Sequence, residues 1–304
     1  MQEALEAVCV LKVRIKFAKT GPLRYVGHLD FMRAVQKIIR RTDIEAAYTK
    51  GFSPHHILSF ASPLGVGLES TGEYFDLELA YRDPFEMSKV DLARLNSIGL
   101  ENDDLPDAPP YTWILEQLNA QTPSGVRFLG VKRVEENNNK AMAQVRAADY
   151  SVFLKEGAFT DRSAPDLLSS LLGEQEIIVH KVTKKTESDV DIRPLIFEAE
   201  VMTGEHSLFI HRVDEMYRIP KEHASYEQEY LAAQTSERIR AEGYPVVIDM
   251  KLSAGSAANL KPETVIEAMC THANLPYDPF SFLILRREMY MEGGKTLLDE
   301  GLLF

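Results

Sequence analysis

The chain has 304 residues, enough for two cores of ordinary size. Its hydrophobic and charged fractions are those of a globular protein, and no apolar run approaches the length that spans a bilayer. A formal net charge of −12 argues against a general polyanion binder, and two cysteines, Cys9 and Cys270, are too few for a disulfide framework or a cysteine-ligated cluster.

The start, Met1 to Ala7, carries Glu3 and Glu6 and lacks the basic opening of a secretory signal, so the chain reads as cytoplasmic. The first predicted element is a strand: Cys9, Leu11, Val13, Ile15 and Phe17 alternate with Lys12, Arg14 and Lys16, which is period two. One face is then apolar and the other basic. A turn follows at Thr20-Gly21-Pro22. His28 to Arg41 reads as a helix, with Leu29, Met32, Val35 and Ile39 on one stripe and Arg33, Lys37, Arg40 and Arg41 on the other.

Short strands are expected around His56–Ser62 and Glu73–Ala80, joined through Gly65-Val66-Gly67. Asp83–Leu100 is poorly periodic, and Glu101–Pro110 is an acidic, proline-rich loop. A helix at Tyr111–Gln121 holds the only tryptophan, Trp113, and a strand at Val126–Val134 closes the set. Strand-helix-strand-strand-helix-strand is the ferredoxin-like order.

Glu135–Lys140, with Asn137-Asn138-Asn139, is the best boundary, giving domains at 1–136 and 141–304. Beyond it come a strand at Tyr150–Leu154, a helix at Pro165–Leu172, and strands at Ile177–Val182, Leu195–Met202 and His206–Val213. Ser225–Ala241 is irregular or helical. A strand at Val246–Leu252, a helix at Pro262–Ala273 and a strand at Phe280–Arg286 complete the order. The fold class read from this is α+β: two ferredoxin-like units, the second with insertions.

Charge marks the start of the chain as its most unusual part. Residues 10–60 hold ten Lys or Arg against three acids, a balance of +7 that leaves −19 elsewhere. Such concentration suits an anionic partner. Lys12, Arg14 and Lys16 on an open sheet face, with Arg24, Arg33 and Lys37, are the candidate RNA or phosphate contacts. Pairing of the strand's cations with Asp76 and Glu78 is the competing explanation.

His28 stands in Arg24-Tyr25-Val26-Gly27-His28-Leu29-Asp30 at a helix start, where it binds phosphate, transfers protons, or simply packs while Asp30 caps. Gly51-Phe52-Ser53-Pro54-His55-His56 is a rigid turn that either presents Phe52 and His55 to a ring or buries Phe52 in the core. Tyr25, Gly27, Asp30, Phe52 and His55 are thus expected to shape a pocket. Ser253-Ala254-Gly255-Ser256 and Asn259 leave a strand and open a helix, a loop able to cradle an anion or merely to cap. No spacing suggests a metal site, a nucleotide loop or a nucleophile elbow, and no cofactor is expected.

The Arg24–Asp30 and Gly51–His55 stretches, Ser59-Phe60-Ala61-x-Pro63-Leu64-x-x-Gly67, Asp191-Ile192-Arg193-Pro194, Leu252–Ser256 and Asn259–Glu263 together resemble the radical-SAM-linked protein family, also known as the DUF2344 domain. That resemblance implies a bacterial protein encoded beside, or fused to, a radical-SAM enzyme, with neighbours in ribosome and RNA metabolism. His56 departs from the proline common there, and Asp83–Pro110 reads as an insertion. The resulting expectation is an RNA-binding or substrate-presenting accessory partner of a radical-SAM enzyme, not itself catalytic. The alternatives are a metal-independent ribonuclease of paired ferredoxin-like type using His28 as general acid/base, and a small-molecule binder.

Overall fold

The computed structural model describes residues 10–82, 109–134, 140–159, 163–182, 187–202 and 246–299. The expected elements at Asp83–Leu100, His206–Val213 and Ser225–Ala241 lie outside them. Ten strands are described: β1 (Val10–Lys19), β2 (Leu58–Phe60), β3 (Glu69–Arg82), β4 (Val126–Arg133), β5 (Ala147–Leu154), β6 (Ile178–Val182), β7 (Glu187–Asp191), β8 (Ile196–Met202), β9 (Val246–Ser253) and β10 (Phe282–Tyr290). The α-helices are α1 (His28–Ile39), α2 (Tyr111–Ala120), the single turn α3 (Ala141–Gln144), α4 (Ala164–Leu172) and α5 (Pro262–His272). The molecule is α+β.

One mostly antiparallel sheet runs β4-β1-β3-β10-β5-β9-β8, with β2 also on β3, while β6 and β7 form a separate hairpin. Every pairing in the large sheet is antiparallel except the short one between β3 and β10 (Leu285 opposite Glu69, Arg286 opposite Ser70). The sheet therefore continues across the boundary expected at 135–140. β3 makes this possible by its length. Its fourteen residues pair with β1 from Ser70 to Arg82, with β2 at Phe75 to Leu77, and with β10 at Glu69 and Ser70. The β2 strand is only three residues, shorter than expected, and β7 was not foreseen because Glu187, Ser188 and Asp189 break any apolar alternation.

Period two in β1 works as elementary geometry requires. Leu11, Val13, Ile15 and Phe17 join Phe31, Val35, Ile38 and Ile39 of α1, Ile114 and Leu118 of α2, and Phe75, Leu77 and Leu79 of β3 in one core. A second core joins Tyr150, Val152, Ile248 and Met250 to Leu167, Leu168 and Leu171 of α4 and Val265, Ile266 and Met269 of α5. It also takes in Ala61, Leu64, Leu68 and Tyr74 from the first half, so the halves share apolar packing as well as hydrogen bonds.

The Asp191-Ile192-Arg193-Pro194 stretch is a structural tie. The Asp191 carboxylate accepts from the backbone N–H of Ile177 (2.8 Å) and of Arg193 (3.0 Å), and the Arg193 guanidinium donates to the Leu172 carbonyl at the end of α4 (3.2 Å).

Candidate functional site

The basic side of β1 is not an open face. Arg14 is 1% exposed, and its guanidinium donates to Asp76 at 2.7 and 3.3 Å and to the Leu297 carbonyl at 3.1 Å. The backbone N–H of Ala141 donates to the same carboxylate (3.2 Å), and the Lys12 ammonium lies 3.8 Å from it. Lys16 reaches across to Glu288 of β10 at 2.5 Å. The register explains the pairing: Arg14 stands directly opposite Asp76, and Lys12 opposite Glu78. Cross-strand pairing thus accounts for these cations, and Arg14 is closed to any phosphate.

They also cannot share one surface with Arg33 and Lys37. α1 packs on the side of the sheet that carries Leu11 to Phe17, whereas Lys12, Arg14 and Lys16 alternate to the other side.

What the fold brings together instead is a hollow at the head of α1. It is lined by Phe17 and Lys19 of β1, His28 and Phe31 of α1, Phe60 of β2, Ser62 and Leu64 beyond it, and Glu73 of β3. About 10 Å³ is open to the centre of a water-sized sphere, room for about one water. Arg286 of β10 holds two of the lining residues, Glu73 and Ser62, in place. It donates to both Glu73 oxygens (2.7 and 2.6 Å) and to the Ser62 carbonyl (3.2 Å). Burial works against the charge on Arg286, yet Glu73 and Tyr150 hold its pKa above the usual range.

Lys19 is almost fully buried. Its ammonium donates to the Val26 carbonyl (2.7 Å) and sits 5.3 Å above the Phe31 ring. Burial lowers its pKa, Glu73 opposes that, and Arg286 adds to it. His28 is half-buried and meets Phe60 edge-on at 5.1 Å between centroids. Among the described residues its imidazole has no hydrogen-bond partner. Burial lowers its pKa too, against Glu73 and with help from Lys19, so the neutral ring prevails at neutral pH.

Tyr25, Leu29 and Val66, close in sequence to the lining residues His28 and Leu64, are 63%, 63% and 62% exposed. The Gly67 N–H donates to the Arg24 carbonyl (2.8 Å), joining the two stretches that carry them. Arg24 stacks 4.8 Å over the Tyr25 ring and donates to Glu69 (3.2 Å), so it too is paired.

Asp30 is not a cap. The cap position is Gly27, and Asp30 pairs with Arg33 at 2.9 Å, both well exposed. Nor does the backbone require glycine at 27, where φ is −65° and an added Cβ would meet nothing within 4 Å.

Phe52 and His55 do not line this hollow. They stand in a loop beyond the far end of α1, closed by Thr49 and His55: the Thr49 N–H donates to the His55 carbonyl (2.8 Å) and the His55 N–H to the Thr49 hydroxyl (3.1 Å). The His55 ring contacts the Thr49 hydroxyl at 3.1 Å, which places it in the loop's own framework. At the loop's base His56 is buried against Tyr48, with its ring nitrogen 2.7 Å from the phenol. Burial lowers the His56 pKa, and Arg40 near by lowers it further, which sets the loop's base beside the C-terminal end of α1. The tip, Phe52, is fully exposed. Lys37, Arg40 and Arg41 are exposed between the two ends and make no ion pair among the described residues.

In the fourth candidate, the Ser253 hydroxyl donates to the Ala258 carbonyl (3.3 Å), and the Leu260 N–H donates to the Ser253 carbonyl (2.9 Å). Gly255 has φ +112°, and a Cβ there would lie 2.2 Å from the Val145 carbonyl oxygen, so this glycine is structural. Ser256 and Asn259 are exposed, and Lys261, not Asn259, holds the cap position of α5. Of the loop's polar side chains, the Ser253 hydroxyl is thus engaged within the loop itself.

Lys19, Glu73 and Arg286 were missed as site residues. The signal was present for the first two: each has the parity of an apolar strand face, Lys19 following Leu11 to Phe17 and Glu73 preceding Phe75 to Leu79.

A family model described as "Uncharacterized protein conserved in bacteria (DUF2344)" matches residues 12–101 and 104–262. No curated protein matches the chain.

Proposed function

We propose that this chain, which belongs to the DUF2344 family, binds single-stranded RNA along the outer face of α1, as an accessory that presents RNA to a radical-SAM enzyme. One observation carries the reading. The exposed side of α1 carries Lys37, and Arg33 paired with Asp30; Arg40 and Arg41 follow just past its end, and an unburied ring, Tyr25 or Phe52, stands in the segment on either side of the helix. The helix is roughly 18 Å long, a span suited to a short stretch of backbone with a base stacked at either end. A ring held outside the core by a closed loop wastes apolar area unless something covers it.

The cations of β1 take no part, which narrows the phosphate contacts to the helix. The radical-SAM enzyme enters through the family resemblance of the sequence stretches quoted above. We also read each half as a ferredoxin-like unit. The support is strand order: β4-β1-β3-β2 in the first half and β10-β5-β9-β8 in the second follow one pattern of connections.

The test is anisotropy of a fluorescent single-stranded oligoribonucleotide over a salt series. Affinity should fall steeply with salt, and Lys37→Glu with Arg40→Glu should flatten the slope. Phe52→Ala should weaken binding by about 5- to 100-fold, the worth of one stacked base. Absence of binding at low salt, or affinity indifferent to salt, would refute the reading.

A further inference from the structure

We propose that the hollow at the head of α1 is an acid–base centre that cleaves the bound RNA, with His28 taking a proton from a ribose 2′-hydroxyl and Lys19 supplying one to the departing oxygen. The proposal rests on the RNA reading of α1 and adds chemistry to it.

Among the described residues, His28 is the one polar group of the hollow left without a partner. Both Glu73 oxygens are held by Arg286, Arg286 also binds Ser62, and Lys19 donates to Val26. A half-buried imidazole that no described polar group engages is open to a substrate proton. Burial keeps the ring neutral, the form that accepts a proton. Lys19 uses one of its three N–H bonds on Val26 and keeps two for the hollow. Burial also makes its ammonium a stronger acid than a surface lysine, though Glu73 holds part of that shift back. Two proton-transfer groups thus line one small space beside the same buried carboxylate.

The shape selects the substrate atoms. Room for about one water admits a hydroxyl or phosphate oxygen and excludes a base, which must rest outside on Tyr25, Leu29 or Val66. Gly27, where no side chain intrudes, lets a backbone approach the mouth closely. The 2′-oxygen attacks the adjacent phosphorus as His28 removes its proton, and the bond from phosphorus to the 5′-oxygen breaks. Lys19, on the lining of the same space, protonates that oxygen. The products are a 2′,3′-cyclic phosphate and a 5′-hydroxyl. No water is consumed, and solvent returns His28 and Lys19 to their starting forms.

The experiment uses the whole chain and a 5′-fluorescent single-stranded oligoribonucleotide in excess EDTA. Cleavage should leave 2′,3′-cyclic phosphate ends, and an all-2′-deoxy oligonucleotide should remain intact. His28→Ala should lower the cleavage rate about 100-fold or more while oligonucleotide affinity and melting temperature stay near wild type. Lys19→Arg keeps the charge but offers a far weaker acid, and it too should slow cleavage. Salt-dependent binding without cleavage by wild type overturns this inference and leaves the RNA reading standing. Cleavage that survives His28→Ala, or falls only with the melting temperature, also overturns it. Absence of binding overturns both.

Discussion

Arg14 and Asp76 show how a charged residue becomes part of a core. The guanidinium meets a carboxylate directly across the strand pair, and the segment that covers it brings the Leu297 carbonyl to satisfy a remaining N–H. Removing one partner strands the other. Asp76→Ala is expected to cost about 3–5 kcal/mol in chemical denaturation, and adding Arg14→Met to it should recover much of the loss. A loss under about 1 kcal/mol for the single variant would mean that Arg14 finds water. From sequence, Arg14 looked like its neighbours Lys12 and Lys16, because alternation gives a side chain's face and not what lies over that face. Lys19 and Glu73 were legible as oddities of parity, but their meeting with His28 depended on three separate elements.

At the scale of elements, β3 is the decisive piece. Its pairing with β10 ends where the Ser70 hydroxyl donates to the Arg286 carbonyl (2.9 Å) and the Thr71 hydroxyl to that of Arg287 (3.2 Å). Gly72 then lies against the β10 backbone so closely that a Cβ would be 2.4 Å from the Arg287 carbonyl oxygen. Gly72→Ala should therefore destabilise the protein by about 1–3 kcal/mol, because backbone cannot move aside as a side chain can. Gly27→Ala is the matched control and should leave the melting temperature unchanged. Equal melting temperatures for both variants would show that the β3–β10 contact yields. Helix α1 was readable within two residues of its end, since a 3.6-residue period is a local property, but its buried stripe is Phe31, Val35, Ile38 and Ile39, and Leu29, expected on it, is exposed. β2, with three residues, and the β6–β7 hairpin carry too few alternations to announce themselves.

Across the whole molecule, the halves are joined by more than a linker. Glu73 with Arg286, Lys16 with Glu288, and Arg14 with the Leu297 carbonyl all cross between them, and the first two charges named lie in the dry interior. Unfolding one half would expose those partners and part of the shared core. Calorimetry is therefore expected to show one transition, with calorimetric and van 't Hoff enthalpies in agreement. Two resolved transitions would show that the halves fold independently.

Local pattern was enough for the class of structure, the helix α1 and the apolar face of β1. Each is written in periodicity or in turn chemistry, which act over a few residues. Only tertiary structure decided that the cations of β1 are spent on Asp76 and Glu288, that Phe52 stands outside the core, and that His28 shares a hollow with Lys19 beside Arg286. Lys16 with Glu288 and Glu73 with Arg286 join residues more than two hundred positions apart, and no local pattern records which distant strand will arrive.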